Sequence, residues 1–238
     1  MAFNLKILTP TTGLCRTGYT YSLVHLVMYY AQNRVWPECP EQLLDYKPIE
    51  GSGIGANRER LVVEALETDC THLLFGDEDM GFAPNALHIL ASRRQPIVGA
   101  NYPIRVKGKG FTALHPDRQQ RIVTTEQSTG IEPAYYTGFG FCLVERSVFE
   151  RVERPWFLLR YDLESHSYST EDAAFGHKLE EAGVPWYCDH DVSKLCYHTG
   201  NHNYTWHEVT IDGDATRRLQ PEICGRGPAE QGDHGDCP

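Results

Sequence analysis

Short apolar runs alternate with amphipathic stretches along the chain, which predicts strands interleaved with helices. Leu5 to Thr9 is an apolar strand halted at Pro10, and a polar loop follows through Tyr19. Ser22 to Gln32 carries Leu23, Leu26, Val27 and Tyr30 on one side, the spacing of a helix. Residues 34–53 are punctuated by proline and lack periodicity, so they predict a loop with at most one strand. The glycine-rich GSGIG at 51–55 leads into a strong helix, Ala56 to Thr68, with Leu61, Val62, Ala65 and Leu66 toward the core.

Thr71 to Gly76 reads as a buried strand that ends abruptly in Asp77, Glu78 and Asp79. Pro84 suits the first turn of a helix reaching about Arg93, and Pro96 to Asn101 is another strand. Residues 105–132 are polar and predict a mobile excursion. Tyr136 to Glu145 reads as a glycine-punctuated strand with a short helix from Ser147. Thr170 to Ala182 is a helix stopped by Gly183 and Pro185. Trp186 to Asp189 and Val192 to His198 read as short strands. From Gly225 onward apolar periodicity is lost, which predicts a disordered tail after a single domain spanning 1–224. The pattern is that of an α/β sheet with helices on its faces.

Composition narrows the function classes. With 22 Lys and Arg against 32 Asp and Glu, the net charge is −10, which argues against a broad nucleic-acid-binding surface. The longest apolar stretch, Tyr21 to Ala31, is too short to span a membrane and is interrupted by His25. The opening MAFNLKILTP lacks the pattern of an export signal, so a cytoplasmic location is expected. The eight cysteines are scattered without a CxxC pair and are expected to be free thiols.

Four groups of residues carry chemistry. The first is the acidic cluster at 77–79: acids leaving the carboxyl end of a buried strand repel one another unless a cation sits among them. In an extended segment Asp77 and Asp79 point to the same side, and hard oxygen ligands suit Mg²⁺ or Mn²⁺. The second is Ser169-Thr170-Glu171-Asp172, where Ser169 fits a helix cap and the acids lie on the side that Phe175 and Leu179 bury. The third is CYHTGNHNYTWH at 196–207: His198 closes an apolar strand, and Cys196, His202 and His207 offer a zinc alternative. The fourth joins Thr9, Pro10, Thr11 and Arg16 with Asn57-Arg58, where a guanidinium near a helix start can grip a phosphate. GSGIG matches neither the dinucleotide nor the P-loop pattern in full.

In their order, the TPT loop, the NR helix, the DED turn, the GFGFCLV strand, the TED helix and the strand-terminal His198 resemble the GT-A glycosyltransferases. The likeness is to compact bacterial and phage-type members related to the inverting family 2, over about residues 3–200. It implies one Rossmann-like domain with a mixed, mostly parallel central sheet flanked by helices. It further implies a nucleotide-sugar donor, with a UDP-sugar favoured, and a Mn²⁺ or Mg²⁺ cofactor. By motif match, Thr9, Pro10, Thr11, Arg16, Arg58, Asp77 and Glu78 would border the donor. Asp77, Asp79 and His198 would hold the cation, with Asp172 as general base and Glu171 beside it. The first loop reads TTGLCRTG where the family has an acid that reads the base, so the nucleotide stays open.

The acceptor is open as well: a saccharide, a protein, a small molecule or a hydroxymethylated base in phage DNA. Arg105, Lys107, Lys109, Arg118 and Arg121, with Arg93 and Arg94, form a local basic cluster suited to a polyanion groove or to a lid over the diphosphate. Two rival classes remain, a nucleotidyltransferase on a similar sheet and a zinc-binding interaction module.

Overall fold

The computed structural model describes residues 2–106, 110–163, 166–200 and 202–209. In chain order the elements are β1 (Phe3–Thr11), α1 (Thr17–Gln32), β2 (Gln42–Glu50), α2 (Ile54–Leu66), β3 (His72–Gly76) and β4 (Met80–Phe82). Then come α3 (Ala86–Ser92), β5 (Ile97–Ala100), β6 (Ile131–Ala134), β7 (Phe141–Glu145) and α4 (Arg146–Arg151). The last are β8 (Tyr161–Asp162), β9 (Ser167–Tyr168), α5 (Glu171–Glu181), β10 (Trp186–Asp189), α6 (His190–Ser193), β11 (Cys196–Thr199) and β12 (Asn203–Thr205).

Seven strands form one sheet in the order β2-β1-β3-β7-β5-β10-β6. β2, β1, β3, β5 and β10 run one way, while β7 and β6 run against them. The sheet is thus mixed and mostly parallel in direction, the α/β class that the alternating pattern predicts.

Strand alternation splits the core in two. Leu74 faces a cluster with Leu26 and Tyr30 of α1 and Leu87 and Leu90 of α3. Its neighbours Leu73 and Phe75 face the other side, with Leu61 and Val62 of α2, Phe149 of α4, and Phe175 and Leu179 of α5. Both faces are covered, which explains why β3 reads as a continuous apolar run.

Several boundaries differ from the sequence expectation. Residues 42–50, in the stretch expected to be a loop with at most one strand, form a full edge strand in register with β1. An edge position tolerates Pro48 because one side of the strand makes no ladder bonds. Within the expected mobile excursion, residues 110–132 pack: Phe111, Ala113, Leu114 and Ile122 are buried, and β6 ends the segment on β10. Its anchor is the buried Asn101, whose amide donates to the Ile122 carbonyl and accepts from Ala113 N–H. The stretch 192–198 divides into α6 and β11 instead of one strand. The cap of α5 is Thr170, whose hydroxyl accepts from Ala173 N–H, while the Ser169 hydroxyl instead accepts from Arg160 N–H.

A second sheet, β12-β11-β4, lies against the end of the first and sets His198 opposite Met80, directly after the acidic turn. The close approach depends on Gly81, where a Cβ would meet the Tyr197 ring at 2.0 Å. Among the described residues no helix is long and apolar enough to cross a membrane. The six described cysteines are free thiols, all buried but Cys15. The predicted tail from Gly225 lies outside the described residues.

Candidate functional site

The carboxyl ends of β1, β2, β3 and β5 open into one cleft of about 560 Å³. Ligand sites on α/β sheets gather at such ends because the loops there diverge over the sheet edge. Pro10, Thr11 and Arg16 reach it from β1 and the loop beyond; Arg58 reaches it from α2. Asp77, Glu78 and Asp79 follow β3, Glu171 and Asp172 open α5, and His198 comes from β11. These expected residues, distant in sequence, line one cavity. Thr9 does not: it is fully buried beneath the cleft, with its hydroxyl on that of Tyr19.

The three acids after β3 do not continue in extended form. Met80 N–H donates to the Asp77 carbonyl and closes a turn, so each carboxylate takes its own direction. Glu78 accepts from the hydroxyls of Thr11 and Thr12 and tethers the first loop. Asp77 accepts two hydrogen bonds from Arg58 Nη2, each 2.9 Å long. Arg58 Nη1 donates to both Glu171 and Asp172. One guanidinium therefore holds three carboxylates, with its side chain only 2% exposed. Sequence reading places Arg58 at the border of the nucleotide; the structure places it in the cleft lining, bound to Asp77, Glu171 and Asp172.

Three acids around one buried cation leave an excess of negative charge. Burial pushes the Asp77 carboxyl up, and Arg58 offsets this only in part. The Asp172 carboxyl is raised from 3.8 to about 7, by burial first and then by the neighbouring charges of Glu171 and Asp77 against the pull of Arg58. Burial also acts on Asp79, but the hydrogen bond and charge of His198, with Arg105, outweigh it and hold that carboxyl below its usual range.

Asp79 and His198 form the second half of the site. Asp79 Oδ2 lies 3.3 Å from His198 Nε2 and 2.8 Å from Arg105 Nη1. The turn is fixed to β11 by Thr199 N–H, which donates to the Asp79 carbonyl at 2.7 Å. His198 Nδ1 lies 3.2 Å from the Pro103 carbonyl, which can only accept. A proton on Nδ1 leaves Nε2 as the nitrogen that faces the Asp79 carboxylate, where it can donate a hydrogen bond to that oxygen or offer a lone pair to a cation placed between the two.

The donor set, one carboxylate oxygen and one imidazole beside further acids, fits a divalent ion that completes its shell with substrate phosphate oxygens and water. Among the described residues no group of three or more His, Cys, Asp or Glu is placed to hold a metal by itself. The zinc alternative has no counterpart there either. Cys196 is buried in the core, His202 pairs with Glu208, and His207 meets the Thr205 hydroxyl.

Sequence reasoning missed several lining residues, among them Ser52, Tyr102, Ile104 and Thr112. Tyr102 is held between Gly138 and Gly140, where a Cβ would come within 2.0 and 2.6 Å of its hydroxyl. The glycine-punctuated GFGF was the available signal: such spacing marks a close approach by another group. Asn57, noted only as a neighbour of Arg58, donates to the Gly51 carbonyl and fixes the GSG loop as a cleft wall.

The expected basic cluster is dispersed. Arg93 pairs with Asp189 and Asp191, Arg94 with Glu38, and Arg118 with Glu180. Arg121 donates to the Thr112 carbonyl and the Tyr136 hydroxyl, and only Arg105 enters the cleft. Lys107 and Lys109 lie outside the described residues.

No protein-family model matches the chain, and no curated protein matches its sequence. Among solved structures, the one described as "Crystal Structure of A197 from STIV" is similar, with a TM-score of 0.57. The match covers 93% of this chain and 100% of that one at 17% identity. The likeness is one of fold. It extends over nearly the whole chain.

Proposed function

We propose that the chain is a metal-dependent glycosyltransferase of GT-A type, moving a sugar from a nucleotide-sugar donor to an acceptor hydroxyl with inversion. The supporting observation is that one cleft joins the Asp79–His198 pair to the carboxylates held by Arg58. The Asp79–His198 pair suits the diphosphate of a donor, and the Arg58-bound carboxylates supply a proton acceptor.

Asp79 and His198 would hold Mn²⁺ or Mg²⁺, which, when bound, offsets the charge developing on the departing diphosphate. Thr11 and Thr12, tethered by Glu78, and the wall of Gly51 and Ser52 border the nucleotide. Asp172 accepts the acceptor's proton. A carboxyl raised to about 7 has the affinity for a proton that a base working near neutrality needs. Glu171 shares Arg58 with Asp172 and, by its charge, contributes to that affinity. Arg58 fixes both carboxylates in place. In the inverting geometry, attack on the anomeric carbon and loss of the diphosphate occur on opposite faces of the sugar.

The test is product analysis after incubation with labelled UDP-sugars and Mn²⁺. Transfer of the labelled sugar with release of uridine diphosphate supports the proposal, whereas no sugar transfer, together with incorporation of nucleotide from a labelled nucleoside triphosphate and release of pyrophosphate in a parallel incubation, would establish a nucleotidyltransferase instead.

A further inference from the structure

The cleft carries five carboxylates, from Asp77, Glu78, Asp79, Glu171 and Asp172, against three guanidinium groups, from Arg16, Arg58 and Arg105. Arg58 is committed to Asp77, Glu171 and Asp172. A diphosphate entering this field meets repulsion that a single divalent ion relieves only in part. Arg105 is a different kind of group. Its side chain is 54% exposed, and its ion pair is with the same Asp79 oxygen that faces His198 Nε2. The guanidinium therefore takes up the carboxylate oxygen that a divalent ion would need.

Resting on the glycosyltransferase reading, we propose that Arg105 is a diphosphate ligand stored on Asp79 and exchanged for the cation. Without the ion, Arg105 neutralises Asp79. When the ion takes that carboxylate, Arg105 is released in a cleft where the diphosphate is the strongest remaining anion. Arg105 is half exposed while Asp79 is only 14% exposed, so Asp79 exchanges one positive partner for another when the ion takes its place, and the released guanidinium makes paired charge-assisted bonds on phosphate oxygens. The residue thus couples two events: cation binding frees the group that then secures the donor.

The experiment is calorimetric titration of the full chain and of Arg105→Gln, first with Mn²⁺ alone and then with uridine diphosphate at saturating Mn²⁺. The variant should bind Mn²⁺ about threefold or more tightly, because its competitor is gone, and uridine diphosphate about tenfold or more weakly. Its melting temperature should be near that of the parent, since the side chain is half exposed. A variant with unchanged uridine diphosphate affinity, or with no gain in Mn²⁺ affinity, overturns the role of Arg105 alone. A parent chain that binds neither Mn²⁺ nor any of a panel of nucleoside diphosphates overturns the glycosyltransferase reading and this role with it.

Discussion

Asp172 shows how a residue's chemistry depends on neighbours remote in sequence. As a first-turn acid it benefits from the helix dipole, which taken alone favours the ionised form. Burial beside Glu171 and Asp77 outweighs that and raises the carboxyl to about 7. The consequence for stability has a definite sign. Between its ordinary 3.8 and about 7, the folded chain holds a proton that the unfolded chain has released. This contribution therefore stabilises at low pH and is lost as pH rises through that window, by at most about 1.4 kcal/mol per pH unit. Asp172→Asn should flatten this part of the pH–stability profile and leave the melting temperature at pH 8 equal to or above the parent's. The same variant should lower turnover of the donor by about 100-fold or more while leaving nucleotide affinity unchanged. Undiminished turnover would move the base elsewhere, with Glu171 next in line.

At the scale of elements, the regular helices and the buried strands were readable because period and burial coincide in them. β3 and its acidic turn are the clearest case: an apolar run stops at charge where the strand leaves the sheet. The bounds of β2 were not readable, because as an edge strand it exposes Leu43 and carries Pro48, which blurs the alternation. The 105–132 segment hid its core residues among polar ones, since bridges and Asn101, not a period, hold it down. The meeting of Asp79 with His198 was anticipated from strand ends, but its means was not. It relies on β4 and β11 approaching closely at Gly81. Gly81→Ala should force the Tyr197 ring away, lower the melting temperature and weaken Mn²⁺ binding severalfold by drawing His198 from Asp79. Pairing it with Tyr197→Ala should restore part of the Mn²⁺ affinity. A Gly81→Ala chain that binds Mn²⁺ as the parent does would show that the β4–β11 spacing does not set the site.

For the whole molecule, the fold class followed from alternation, and the choice of residues for the cleft followed from strand ends and family resemblance. What could not be read was the wiring. Arg58 lies 19 positions from Asp77 and 113 and 114 from Glu171 and Asp172, so no local pattern reveals that one buried guanidinium holds all three. The result is a cleft in which Asp79 pairs with His198 and Arg105 while Asp77, Glu171 and Asp172 are bound by Arg58. Titration of a panel of nucleoside diphosphates into the purified chain, with Mn²⁺ and with chelator, probes that arrangement directly. At least one nucleotide should bind about tenfold or more tightly with Mn²⁺, and Asp79→Asn should abolish the difference without unfolding the chain. No binding by any of the panel, or binding indifferent to both Mn²⁺ and the Asp79 substitution, would contradict a cation-assisted nucleotide site in this cleft.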